Sequence, residues 1–135
     1  MKYLLDTCVV SDFVKGDLQT LVSIKQLSPT DIAISCITLH EIQYGLALDP
    51  KRAAKISGII HDFLAPIHIL DFSQGDAKAS AIIRAQLKQQ GRPIGSYDIL
   101  IAGTALYHKL ILVTSNLKEF SRLDDIKLEN WRKAI

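Results

Sequence analysis

A chain of 135 residues that is 48% hydrophobic and 22% charged can bury a substantial core and is too apolar to be disordered throughout. Its formal net charge of +2 gives no general electrostatic case for a polyanionic partner, so any basic patch must come from local clustering. No repeat, low-complexity tract or long linker divides it, and a single domain over residues 1–135 is expected.

The first predicted element is a short strand, "YLL" (3–5), closed by Asp6. That acid cuts the apolar run after three residues, so no signal peptide is expected and the chain reads as cytoplasmic. "DLQTLVSIKQL" (17–27) has a helical period, with Leu18, Leu21 and Val22, joined by Ile24 and Leu27, expected on the inward side. "IAIS" (32–35) reads as a buried strand, and "ITLHEIQYGLAL" (37–48) as a helix that gathers Leu39, Ile42 and Leu46. "DPKRAAKISGIIHDFLAP" (49–66) opens with an aspartate cap and a proline at the first helical position, and closes at Pro66. After the strand "IHIL" (67–70), "SQGDAKASAIIRAQLKQQG" (73–91) begins with a Ser-x-x-Asp capping pattern and ends at Gly91, a C′ residue. "SYDILIAGTALYHK" (96–109) is nearly all apolar after its first turn and should be buried on most sides. Only nine uncharged residues separate Asp98 from His108, well under the roughly 18 of a membrane span. "LILVT" (110–114) and "IKLE" (126–129) supply two more strands, the last at an edge. Strands alternating with helices predict an α/β fold of three layers, with a mostly parallel central sheet covered on both faces.

The two cysteines, Cys8 and Cys36, lie in apolar surroundings without CxxC or Cys/His ligand spacing, which argues against structural zinc and for reduced thiols. The acids are more informative. Asp6 follows the first strand, Glu41 lies one turn into the helix after the second, and Asp98 opens the apolar helix that feeds the fourth. Asn116 follows that fourth strand, with Glu119 three residues on. In a parallel sheet the carboxyl ends of the strands form the rim where ligands bind. Helix capping explains each residue separately: Asp6 as an N-cap, Thr38 to Glu41 and Asn116 to Glu119 as capping boxes, Asp98 as a first-turn acid. Asp71 also follows a strand, so placement alone does not select among them. Capping does not, however, explain acids set in "LLDTCVV" and "YDILIAG", where several ionised carboxylates would repel unless protonated, separated or bound to a cation. Hard oxygen donors without histidine or cysteine ligand spacing suit Mg²⁺ or Mn²⁺.

"LLDTCVVSDF", "ISCITLHEIQYG", "RPIGSYDILIAGTAL" and "LVTSNLKEF", followed by "LENW" (128–131), resemble the motifs of PIN-domain ribonucleases in the family's order. The closest likeness is to the VapC-type toxins of type II toxin–antitoxin systems. The resemblance implies an α/β/α PIN-like domain, Mg²⁺- or Mn²⁺-dependent endoribonuclease activity on structured RNA such as tRNA, inhibition by a cognate antitoxin, and a homodimer. Asp6, Glu41 and Asp98 match the family's acidic positions, while Asn116 falls where many members carry a fourth aspartate. One tightly held ion is therefore expected.

The expected chemistry is phosphodiester hydrolysis by a metal-activated water. Asp6 and Asp98 are assigned to direct metal contact, Glu41 to direct or water-mediated contact and nucleophile positioning, and Thr7, Ser115, Asn116 and Glu119 to supporting positions around them. Arg84, Lys88 and Arg92 recur at helical spacing ahead of Asp98, and Lys118 and Arg122 flank the Asn116 turn; Arg92, Arg84, Lys88 and Lys118 are the candidate RNA contacts. His40 is expected to serve on the surface or in packing rather than as a general base, since helical neighbours point about 100° apart. Tyr97 and Trp131 are expected to pack. A haloacid-dehalogenase-like phosphatase would need a second acid at position 8, where Cys8 stands. An acidic-pocket phosphoacceptor module and a catalytically silent interaction domain remain the alternatives.

Overall fold

The computed structural model describes residues 1–132, and within them the aliphatic runs form five strands: β1 (Tyr3–Leu5), β2 (Ile32–Ser35), β3 (His68–Leu70), β4 (Ile111–Val113) and β5 (Leu128–Glu129). Helices α1 (Thr7–Lys15), α2 (Leu18–Lys25), α3 (Cys36–Leu48), α4 (Pro50–Leu64), α5 (Gln74–Gln89), α6 (Ser96–His108) and α7 (Leu117–Phe120) connect them. All neighbouring strands pair in parallel, in the order β3-β2-β1-β4-β5. Strand residues alternate between two cores, as a two-residue period requires. Leu4, Ala33 and Leu112 pack with Ile83, Leu87, Ile101 and Phe120 on one face. Leu5, Ile34 and Val113 pack with Val10, Ile42, Ile60 and Phe63 on the other. The sheet is thus sandwiched between α5, α6 and α7 on one side and α1, α3 and α4 on the other. Each fully enclosed leucine or isoleucine contributes about 1.5–3 kcal/mol by leaving water.

Local chemistry sets the helix ends where the sequence predicts it. Ser73 and Asp76 form a reciprocal capping box at α5, Asp49 caps α4 ahead of Pro50, and Gly91 takes a left-handed φ of 67° just past α5. One expectation fails: in α2, Leu18 and Val22 face solvent, and the residues that reach the core are Ile24 and Leu27, while Thr20 is buried. Asp17 caps that helix by accepting from the Thr20 backbone N–H and hydroxyl, which turns Thr20 inward. At the other end of the chain, Arg132 makes a two-pronged bond to buried Asp12 of α1, at 3.1 and 2.6 Å, and ties the segment after β5 to the first helix.

The strand order locates the ligand crevice. Chain progression runs one way from β1 to β3 and resumes on the other side of β1 at β4. Crossovers therefore diverge between the carboxyl ends of β1 and β4, where an open α/β sheet leaves a cleft.

Candidate active site

Asp6 stands at that cleft. Its backbone N–H bonds to the Val113 carbonyl at 2.9 Å, locking it to the end of β4. One carboxylate oxygen, Oδ1, caps α1 by accepting from the Thr7 N–H at 2.7 Å. The other, Oδ2, accepts from the Thr114 hydroxyl at 2.8 Å and the Cys8 thiol at 3.5 Å. Asp6 is therefore a cap and a member of the site at once, with only 5% of its surface exposed.

Glu41 comes from α3, in the same layer as α1. The helix that carries it starts a turn earlier than a Thr38–Glu41 capping box requires: Ser35 is the cap, accepting from the Thr38 N–H at 3.1 Å. Glu41 is thereby released from capping, and its Oε1 accepts from the Thr7 hydroxyl at 2.8 Å. Asp98 lies in the first turn of α6, behind Gly95, where a Cβ would stand 3.2 Å from Asp98 Oδ2. Glu119 arrives on α7. It accepts from the Asn116 side-chain amide at 3.1 Å, a bond that replaces the expected capping box, and it shares a hydrogen bond with Asp98.

Burial, that shared hydrogen bond and the negative charges of Asp6, Glu119 and Glu41 push the Asp98 carboxyl up to about 7. Asp98 therefore feels the carboxylates of Asp6, Glu41 and Glu119, brought to one rim by three other elements. Asp71 is apart from them, exposed and bonded to the Cys36 thiol at 3.4 Å. Thr114 is the residue that sequence reasoning missed: its hydroxyl, not that of Ser115, orients Asp6, while the Ser115 N–H bonds to the Cys8 sulfur at 3.4 Å. Its only signal was its place at the end of the predicted fourth strand. The Asn116 N–H donates to the same Thr114 hydroxyl at 2.9 Å, so one side chain joins Asp6 to the turn that carries Glu119.

The donor set fits a hard divalent cation. It offers carboxylate oxygens, and the one nearby sulfur, Cys8, is held in the neutral thiol form by burial and by the Asp6 charge. Among the described residues no three acidic, histidine or cysteine side chains are grouped closely enough to hold an ion as they stand.

The candidate RNA contacts surround this rim unevenly. Arg84 and Lys88 are exposed and line a groove between α5 and α6, Arg92 is exposed in the loop before Asp98, and Lys118 is exposed on α7. Arg122 is occupied structurally, donating to the Pro93 carbonyl at 2.9 Å.

A family model described as the PIN domain matches residues 3–126. The tRNA(fMet)-specific endonuclease VapC of Shigella flexneri is 34% identical over 131 residues, covering 97% of this chain and 98% of that protein. Among solved structures, VapBC2 from Rickettsia felis, bound to a DNA fragment from their promoter, superposes with a TM-score of 0.89 at 35% identity, covering 97% of this chain and 99% of that one. A toxin–antitoxin complex from Klebsiella pneumoniae gives a TM-score of 0.74 at 26% identity, with 93% and 95% covered. The acids at the crevice, the all-parallel sheet and these likenesses agree, and the chain belongs to the PIN-domain family.

Proposed function

We propose that this protein is a divalent-metal-dependent endoribonuclease, the toxin of a toxin–antitoxin pair, acting on structured RNA with tRNA as the favoured class. The observation that carries the reading is the convergence of Asp6, Glu41, Asp98 and Glu119 on one rim, tightly enough to push Asp98 up to about 7. Asp6 and Asp98 would hold the cation, Mg²⁺ or Mn²⁺. When bound, it supplies positive charge against the scissile phosphate and acidifies a water.

The remaining work falls to the chain. The Thr7 N–H, Thr114 hydroxyl and Cys8 thiol fix both oxygens of Asp6, so its orientation needs no reorganisation during the reaction. The Thr7 hydroxyl fixes Glu41 Oε1 and leaves Oε2 to position the attacking water and take its proton. Hydrolysis forms a bond from that water oxygen to phosphorus and breaks one ester P–O bond. Glu119, held by Asn116, keeps Asp98 oriented and replaces the carboxylate that a neutral amide at position 116 does not provide.

The Shigella flexneri relative, named as a tRNA(fMet)-specific endonuclease, supports the substrate class, and the solved VapBC and toxin–antitoxin complexes support an antitoxin partner. A homodimer in the cytoplasm completes the reading; among the described residues no helix is long and apolar enough to cross a membrane. Purified protein incubated with tRNA should cut it in Mg²⁺ and not in EDTA, and sequencing the new 5′ ends should reveal a defined position. Intact tRNA under both conditions would refute the proposal.

A further inference from the structure

Helix α6 is buried along most of its length, yet Tyr97 in its first turn is 47% exposed. Its ring meets that of His40 edge to face, with centroids 5.9 Å apart and planes at 82°. His40 directly precedes Glu41 on α3 and Tyr97 directly precedes Asp98 on α6, so the contact between the two rings joins the helices that carry these acids. Tyr97 itself lines a groove of about 290 Å³ with Glu41, Gly95, Ser96 and Asp98.

One turn further along α6 runs a groove that carries two basic residues. Successive helical residues turn by about 100°, which sets Tyr97 between Asp98 on one side and Leu100 on the other. Leu100 lines the second groove, about 540 Å³, with Phe72, Ile99, Arg84 and Lys88. Among the described residues neither Arg84 nor Lys88 makes an ion pair. The aromatic ring thus lines the acidic groove and stands one helical turn from a groove that carries Arg84 and Lys88. A phosphodiester chain presents that same alternation, with a phosphate at the cleft, a base beside it and the next phosphate on the cations. Bases splayed from a single strand stack on exposed aromatic rings.

We propose that Tyr97, braced by His40, is the stacking platform for the nucleobase adjoining the scissile phosphate, so that the enzyme selects an unpaired nucleotide there. The inference rests on the endoribonuclease reading and adds to it a residue that decides where RNA is cut. A platform of this kind binds substrate and transition state equally, so its loss raises KM and leaves kcat unchanged.

The test uses a single-stranded oligoribonucleotide with one 2-aminopurine, moved through each position in turn, titrated with the full protein in EDTA at low salt. Stacking quenches that base without any cleavage. Wild type and Tyr97→Phe should quench at one position, whereas Tyr97→Ala should lose the quench and bind about 5- to 100-fold more weakly. In Mg²⁺, Tyr97→Ala should show the same rise in KM with kcat retained, and His40→Ala a smaller one. Equal quenching and affinity in wild type and Tyr97→Ala, or a Tyr97→Phe variant as impaired as the alanine, would overturn the platform. Wild type that quenches but cuts no RNA would overturn the nuclease reading and leave the platform standing. Wild type that cuts RNA with no Tyr97-dependent quench would do the reverse.

Discussion

Asp98 concentrates the chemistry of the site in one side chain. Its folded-state value of about 7 lies above the ordinary 3.8. Between those values the native protein holds a proton that the unfolded chain has released, so stability falls as pH rises through that window and stays reduced above it. Asp98→Asn should flatten this slope and raise the melting temperature at about pH 8 while abolishing RNA cleavage; thermal unfolding from about pH 5 to 8 measures it. A variant with the wild-type slope would show that the strain lies elsewhere. Asp6 and Asp98 stood out in the sequence because charge inside apolar runs demands compensation, and Glu41 through its place one turn into the helix after the second strand. Thr114 did not, since its role depends on which strand lies beside β1, and Glu119 read equally as a cap or as a supporting acid until α7 brought it against Asp98.

The antiparallel pair α5 and α6 holds Asp98 in place through small residues. Gly103 lies against Ser80, and Gly75 lies under the Tyr107 ring. A Cβ at position 103 would stand 2.5 Å from the Ser80 Cβ and 2.8 Å from its backbone, so the helices must separate to admit it. Gly103→Ala should therefore cost about 1–3 kcal/mol in urea denaturation and lower cleavage, because the helix that shifts carries Asp98. Wild-type stability in that variant would mean that the helices have room to spare. Element boundaries were readable where the signal is local, as with the Ser73–Asp76 box and Gly91. The inward face of α2 was misread because Leu18 and Val22 have the right spacing, but only eight residues long, the helix is oriented by the Asp17–Thr20 cap rather than by its apolar stripe.

Across the whole molecule a net charge of +2 conceals a division between the acidic rim and the cations of α5, the loop after it and α7. RNA affinity should therefore fall steeply with salt, and each of Arg84→Ala, Lys88→Ala and Arg92→Ala should lower the log–log slope by about one. A flat salt response in wild type would exclude those side chains as phosphate contacts. The alternation of strands and helices revealed the sheet, but not its order β3-β2-β1-β4-β5, which arises from long-range pairing and creates the crevice. That crevice is held to exist for a divalent ion, and Mn²⁺ binding followed by electron paramagnetic resonance examines it without RNA. Wild type should bind Mn²⁺ at the rim, with Mg²⁺ competing, and Asp6→Asn should bind it at least about tenfold more weakly, the loss of one charged ligand contact. Equal binding by the two proteins would contradict the account.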